Sequence, residues 1–502
     1  MKSFGEKSWA LLIALALCAT AALAQDQKQD TSPIDPNAPL QPLEPSPSGG
    51  YANRPIGAAR GGVVTPADTV YDPSQVTPDQ NTLSGVAPIT LGSLQHNRNI
   101  FDPAISISQL GQTVPGASGQ TVLTGVSVAS GSLNFNRTWS EYHFTTLYNG
   151  GETFNLGYGA ASTFFGNVSP HYQFHDLVVS QEADWARWRV VLRDDFTASP
   201  GAAFTSQGMG GPGLTAEFSS LLGASLNSFA GASVPSETIN TGNLLRYRNS
   251  ILGEAEYSFS RRSAVTFSGS YGLLNFTGPG YISSTMVDAQ AGYDYLLDPS
   301  NSIAVLGSYG KIDYTGTVNS TTDYMGALAY GRKITGRLAF QVAAGPQEIQ
   351  SVGGTLGNFN LLFASVNSAL TYARRRSSVS FNYLRGLTAG SGVFQGATSN
   401  TVSGTARYQF TRFWTGSING GYALNNSLAP AGATTIQFDN WFVGANLGRQ
   451  IGQHAQFNFN YGASSQNNGA ICPVVSCGGT GLQQTFGMTV NWHLRPIGSD
   501  GR

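Results

Sequence analysis

Beyond its N-terminus the chain has no apolar run of the roughly 18–20 residues that a membrane helix needs. Charge is sparse, at 11% of 502 residues, and it nearly cancels to a formal −1. A chain with no net positive charge has little electrostatic grip on a phosphate backbone, so nucleic acid is not an expected partner. Cysteine is scarce too: Cys18 lies in the N-terminal apolar stretch, leaving Cys472 and Cys477. Zinc on that pair would need two more ligands, and none stand nearby. The histidines His96, His143, His171, His175, His454 and His493 are scattered over different segments. His171 and His175 share a face, but four residues of extended strand separate them by roughly 13 Å, too far to ligate one metal. No serine–histidine motif of a hydrolase appears. No cofactor, no metal and no enzyme activity is expected.

What the chain has is alternation. In the segment 245–259 the odd positions include Leu245, Tyr247, Ile251, Ala255, Tyr257 and Phe259. The even ones include Arg246, Arg248, Ser250, Glu254, Glu256 and Ser258. Side chains along a strand point to opposite faces with period two, so one face is apolar and the other charged. A dozen further segments repeat this, with connections alternately short and long. A membrane protein without spanning helices has to close its sheet, because lipid offers no partner to an unpaired backbone group. The pattern therefore predicts an all-β fold: a transmembrane antiparallel up-and-down β-barrel, apolar toward lipid and polar toward its interior. Glycine, with 62 residues, stands at about 12% against the usual ~7%, without a collagen period.

The N-terminus reads as an address. Lys2 and Lys7 precede the apolar residues 10–17, and Ala22, Leu23 and Ala24 precede Gln25. These are the three regions of a secretory signal peptide, so residues 1–24 are expected to be removed. An exported chain meets oxidising conditions, which makes a local Cys472–Cys477 disulfide the default, with two free thiols as the alternative. Residues 25–100 are polar and carry prolines at 33, 36, 39, 42, 45 and 47. Such a tract cannot bury a core, and a disordered periplasmic extension is expected there. The barrel is expected over 101–494, followed by a tail, 495–502.

Within it about eighteen strands can be counted, from 103–113 to 481–494, with sixteen as the second count because such barrels have even strand numbers. Short connections fall at 261–262, 298–301, 333–336, 374–376, 411–412 and 450–453. Long ones fall at 199–244, 347–358, 388–398, 425–434 and 465–480. Short turns are expected to face the periplasm and long loops the exterior. Trp139, Trp185, Trp188, Trp414 and Trp492 gather near the short turns, as an interfacial girdle does, together with arginines placed to meet lipid phosphates.

The segment 484–494 carries Phe486, Met488, Val490, Trp492 and Leu494 at alternate positions. It resembles the closing strand of Gram-negative outer-membrane β-barrels of the porin-like class, whose terminal residues form the signal read by the barrel-assembly machinery. Two departures stand out: the last position is Leu494 rather than phenylalanine, and a tail follows it. The resemblance implies residence in the bacterial outer membrane. The partners it implies are that machinery and outer-membrane lipid and lipopolysaccharide; self-association is left open. Barrels of this class also serve as adhesins, receptors and envelope anchors, so architecture alone does not fix function.

If Trp188, Val190, Leu192 and Phe196 face lipid, then Arg187, Arg189, Arg193 and Asp195 face inward, and the next strand sends in Arg246, Arg248, Glu254 and Glu256. These are the candidate pore-lining residues. They read either as a wall stitched by ion pairs or as a basic ladder facing Asp176, Asp288, Asp294 and Asp323 across water. Asp194 would face lipid in this register, a misfit. In the loop 199–244, Leu214, Phe218, Leu222 and Phe229 recur at helical spacing and suggest a short helix that constricts the mouth. The expected function is a porin-like outer-membrane channel for passive diffusion of small polar or anionic solutes, with a non-conducting surface barrel as the alternative.

Overall fold

The structure is a computed structural model. It describes residues 100–115, 121–139, 141–155, 171–200, 245–493 and 497–498, apart from the turn positions 261, 279, 299, 336, 375 and 453 and the segments 316–318, 354–356, 431–434 and 469–481. The expected signal peptide, almost all of the extension, the constriction-loop residues Leu214, Phe218, Leu222 and Phe229, the Cys472–Cys477 pair and Leu494 lie outside the described residues.

Eighteen long strands follow one another around a closed antiparallel ring. They are β1 (Ile100–Pro115), β2 (Thr121–Trp139), β3 (Tyr142–Asn155), β4 (His171–Asp184), β5 (Trp188–Pro200), β6 (Leu245–Ser258), β7 (Ser263–Phe276), β8 (Ser284–Asp298) and β9 (Asn301–Tyr314). The second half is β10 (Ser320–Thr335), β11 (Leu338–Val352), β12 (Phe359–Arg374), β13 (Ser377–Thr388), β14 (Ala397–Gln409), β15 (Trp414–Ser427), β16 (Gln437–Ile451), β17 (Ala455–Asn468) and β18 (Gln483–His493). Each pairs with its sequence neighbours, and β1 pairs with β18 in the register Ala104↔His493 to Thr113↔Gln484, which leaves no open edge. Thr113 locks the seam: its backbone-paired partner Gln484 donates its N–H to Thr113 Oγ1 at 2.9 Å. A two-residue strand, β19 (Ile497–Gly498), lays the tail against Ile100 and Phe101.

Alternation along these strands sorts the side chains as the sequence predicts. On the closing strand Phe486, Met488, Val490 and Trp492 point outward, with Trp492 52% exposed, while Asn491 is buried on the inner face. Outward rows elsewhere are apolar, among them Ile105 and Ile107, Phe267 and Tyr271, Val305, Leu328, Leu362 and Ile418. An exterior of that kind is stable only against hydrocarbon, where it forms the apolar band of a transmembrane barrel.

At the short-turn rim arginines lie over aromatic rings: Arg137 over Trp139 at 5.0 Å, Arg412 over Phe413 at 4.5 Å and Arg449 over Trp414 at 5.2 Å. A guanidinium above a ring keeps its hydrogen-bonding edge free while its face meets the ring quadrupole.

Two expectations need revision, and one misfit is explained. Arg187 belongs to the turn 185–187 and is exposed, because β5 begins only at Trp188, where Trp185 donates its N–H to the Trp188 carbonyl at 2.7 Å. Asp194 does face outward, opposite Ile251, and it is served there by Asn249, whose Nδ2 donates to Asp194 Oδ1 at 2.8 Å. A side-chain amide on the neighbouring strand thus offsets part of the cost of a carboxylate on the apolar face. The second revision concerns the connection 388–398, expected outside the barrel and found within it.

Candidate functional site: the barrel interior

Two charged walls and one inward-bent hairpin shape the interior. The first wall is β4–β6. By register its inner face carries the carboxylates Asp176, Glu182, Asp184, Asp195, Glu254 and Glu256 and the guanidiniums Arg189, Arg193, Arg246 and Arg248. They are interleaved. Arg189 Nε donates to Glu182 Oε1 at 2.5 Å and stands opposite Glu256 on β6. Arg193 Nε donates to Asp195 Oδ1 at 2.9 Å, two residues along the same face. Arg248 and Arg246 stand in the field of Asp176, which also takes a hydrogen bond from Thr197. Six carboxylates face four guanidiniums, so every arginine has an acid within its field and the wall carries no net positive charge. Of the candidate pore-lining set, six residues are brought together here; Arg187 is not among them.

The second wall is β8–β11, where one row of the ladder runs Asp288↔Gly310↔Asp323 across three strands. Neighbouring strands lie about 4.8 Å apart, so the two carboxylates flank a single position. That position is glycine because a Cβ on Gly310 would run into the carboxylate of Asp323. The absent side chain is what lets two acids share one row. Beside them Gln347 Nε2 donates to Asp323 Oδ2 at 2.8 Å. An alcove opens at this row, lined by these three polar side chains and by Leu306, Met325 and Leu384, with Ser365 and Asn367 at its half-buried side.

The hairpin β13–β14 closes the alcove from the long-loop side. β13 pairs with β12 only as far as Arg385. From Gly386 onward it bonds to β14 alone, and the hairpin end bends into the barrel. Residues 389–396 then cross toward β8 and β9: Ile282 donates its N–H to Gly392 O at 2.9 Å, Leu428 donates to Gly396 O at 3.2 Å, and Asn319 Nδ2 bonds Gln395 Oε1. Gly392 adopts φ 78° with the Phe276 ring pressed against the place of a Cβ, so both its backbone angle and its surroundings require glycine. Phe394 stacks edge-on against Phe438 at 5.1 Å. Leu387 and Ala389 join Met286, Ile312, Tyr314, Ile349 and Leu428 in one apolar cluster on the inner wall. Apolar side chains pointing into a polar barrel are explained by this cover. The hairpin end narrows the interior from the β8–β14 side.

Among the described residues no group of three or more His, Cys, Asp or Glu side chains could hold a metal ion. Sequence reasoning missed the hairpin end as the narrowing element. Its signal was nonetheless present: Gly390, Gly392 and Gly396 enclose Val393 and Phe394, large apolar residues in a connection that exposure to water would disfavour.

No family model matches the chain, and no curated protein matches it either. Among solved structures it is similar to the outer-membrane protein OpdK of Pseudomonas aeruginosa, at 10% identity over 78% of this chain and 99% of that one, with a TM-score of 0.37. Similar too is Pseudomonas aeruginosa OccK2 in complex with glucuronate, at 10% identity over 78% and 98%, TM-score 0.39. Acinetobacter baumannii OccAB1 matches at 10% identity over 81% and 100%, TM-score 0.39. The strand count and closure of the chain rest on its own hydrogen-bonded ladder.

Proposed function

We propose that this chain is a porin-like channel of the bacterial outer membrane through which small polar solutes diffuse passively. One observation carries the reading: a closed ring of eighteen strands with a polar inner face is narrowed from within by its own hairpin end. Barrels of sixteen to eighteen strands are too wide for side chains to fill and leave an aqueous passage. An inward hairpin sets the width of such a passage, whereas an anchor or adhesin has no use for one. The arginines of β4–β6 first suggested a preference for anions. Their interleaving with six carboxylates supports the ion-paired wall instead, and the proposal is therefore for polar solutes without an anionic bias.

The test is conductance of the purified, folded protein in planar bilayers, with the reversal potential read in a potassium chloride gradient. Stable open steps are expected. Silence from protein that migrates as a folded, heat-modifiable barrel would overturn the channel and favour the non-conducting surface barrel.

A further inference from the structure

The row Asp288–Gly310–Asp323 has a property that wall stitching does not explain. Asp288 is 2% exposed, Asp323 0% and Gln347 3%. Yet Asp288 Oδ2, Asp323 Oδ1 and Gln347 Oε1 have no hydrogen-bond partner, and all three side chains line the alcove. No arginine, lysine or histidine is among the residues that line it. Two carboxylates this deep either hold a proton or pair with a cation, since a buried charge persists only when paired. Gln347 has already spent a donor on Asp323, so what it presents to the alcove is its carbonyl.

We infer that the alcove is a binding subsite for the protonated amine of a small organic cation. A primary ammonium carries one positive charge and three N–H donors, which answers three unpartnered acceptor oxygens, two of them on carboxylates. The remaining wall says which cation. Leu306, Met325, Ala327, Ala343, Leu384 and Leu387 supply hydrocarbon, and Ser308, Ser365 and Asn367 add neutral oxygens. A bare metal ion gains nothing from the hydrocarbon part of that wall, since hard cations seek a full shell of oxygen ligands. An alkyl stem of a few carbons gains burial there. The hairpin end, through Gly386 and Leu387, forms the upper side of the alcove, so the cation would dwell at the narrowing rather than in open lumen. This deepens the channel reading and rests on it for access.

The test uses the full-length protein folded in detergent and in planar bilayers, with n-butylammonium chloride as the probe and tetramethylammonium chloride, which has no N–H, as the control. Butylammonium should produce concentration-dependent interruptions of the potassium chloride current, and tetramethylammonium should not. Asp323→Asn and Asp288→Asn should each weaken the effect about tenfold or more, the scale of one charge-assisted hydrogen bond, while Asp298→Asn at the barrel rim should leave it intact. Calorimetric titration of the same folded variants with butylammonium should follow the same order. Equal interruption by both cations, or interruption and binding unchanged in the two alcove variants, would overturn the subsite. A wild type silent in potassium chloride overturns the channel reading instead, and the calorimetry then decides the site alone.

Discussion

Strands β4–β6 and strands β8–β11 both carry acids on the inner face of the barrel, under opposite conditions. On the first wall each guanidinium has a carboxylate beside it, as Arg189 has Glu182 and Arg193 has Asp195. On the second, Asp288 and Asp323 flank Gly310, with Gln347 donating to Asp323 and acceptor oxygens left over. The first wall sets opposite charges side by side and behaves as structure, although Arg193 Nη2 and Arg248 Nε and Nη1 keep donors without a partner. The second pairs its charges only with something from outside the chain. The difference arises from the ladder: the first wall alternates acid and base along and across its strands, while the second puts only a glycine between its two acids.

The hairpin end leans on the second wall together with Phe276 of β7, Leu428 and Phe438 of β16, and removing its anchor is the strongest way to separate the two walls. Phe394 is buried against Phe438. Phe394→Ala should cost about 3–5 kcal/mol of hairpin packing, the usual range for emptying a buried phenylalanine site. Hydrogen exchange should then quicken at the amides of Ile282 and Leu428, which donate to Gly392 and Gly396, and stay unchanged on β5 and β6. Quickening on both walls alike would mean that the hairpin braces the whole barrel and that the contrast is misplaced.

The assignment of residues to inner and outer faces underlies both walls, and the closing strand tests it. A lysine on the lipid face near the bilayer midplane costs roughly 2–4 kcal/mol. Val490→Lys should therefore impair assembly of the folded barrel, read as heat-modifiable gel mobility, while Asn491→Lys, on the inner face, should be tolerated. Greater loss in Asn491→Lys than in Val490→Lys would shift the register by one and exchange inside for outside on every strand.

Much of this was legible in residues 245–259, because the side-chain period of a strand is two and the solvent changes from lipid to water across the sheet. The same period placed Asp176, Asp288 and Asp323 inside and Asp194 outside. It could not show that Asp288 and Asp323 share a row, since that depends on how three strands slide against one another, a sum over the β8–β9 and β9–β10 turns. Nor could it show the inward bend after Arg385, which follows from contacts with Phe276, Ile282 and Phe438, far away in the chain. Arg187 was misplaced for a local reason: alternation continues into a tight turn, where it no longer reports a face.

If the first wall is structural, breaking one of its pairs should cost stability, whereas neutralising an acid of the second should not. Arg189→Met takes the Nε donor from the half-buried Glu182, and a loss of about 1–3 kcal/mol is expected from a hydrogen bond to a charged group. Asp323→Asn keeps an acceptor for Gln347 and removes one of two like charges, so its urea midpoint in lipid vesicles should match or exceed that of the wild type. A destabilised Asp323→Asn beside an unaffected Arg189→Met would reverse the roles given to the two walls.

The smallest effect is expected at the rim of the second wall, where a carboxylate does have its donors. Asp298 opens the turn 298–301, beyond the apolar band. Its Oδ1 accepts the N–H groups of Ser300 at 2.7 Å and Asn301 at 2.9 Å, and its Oδ2 accepts Asn301 Nδ2 at 2.7 Å. Those bonds, led by the Asn301 side chain, hold its carboxyl below the usual carboxylate range. A lowered folded-state value means that the stabilisation is fully present above the ordinary carboxylate pKa of about 3.9 and is lost as pH falls through the lowered one. The side chain is fully exposed, so water competes for the same bonds and the contribution is minor. Asp298→Ala should unfold slightly earlier than the wild type in urea at neutral pH, and the gap should narrow as pH falls through the lowered pKa and the wild-type carboxyl is protonated as well. A gap that widens in acid would show that the turn is held by something other than the carboxylate, and that donors around Asp298 do not set it apart from Asp288 and Asp323.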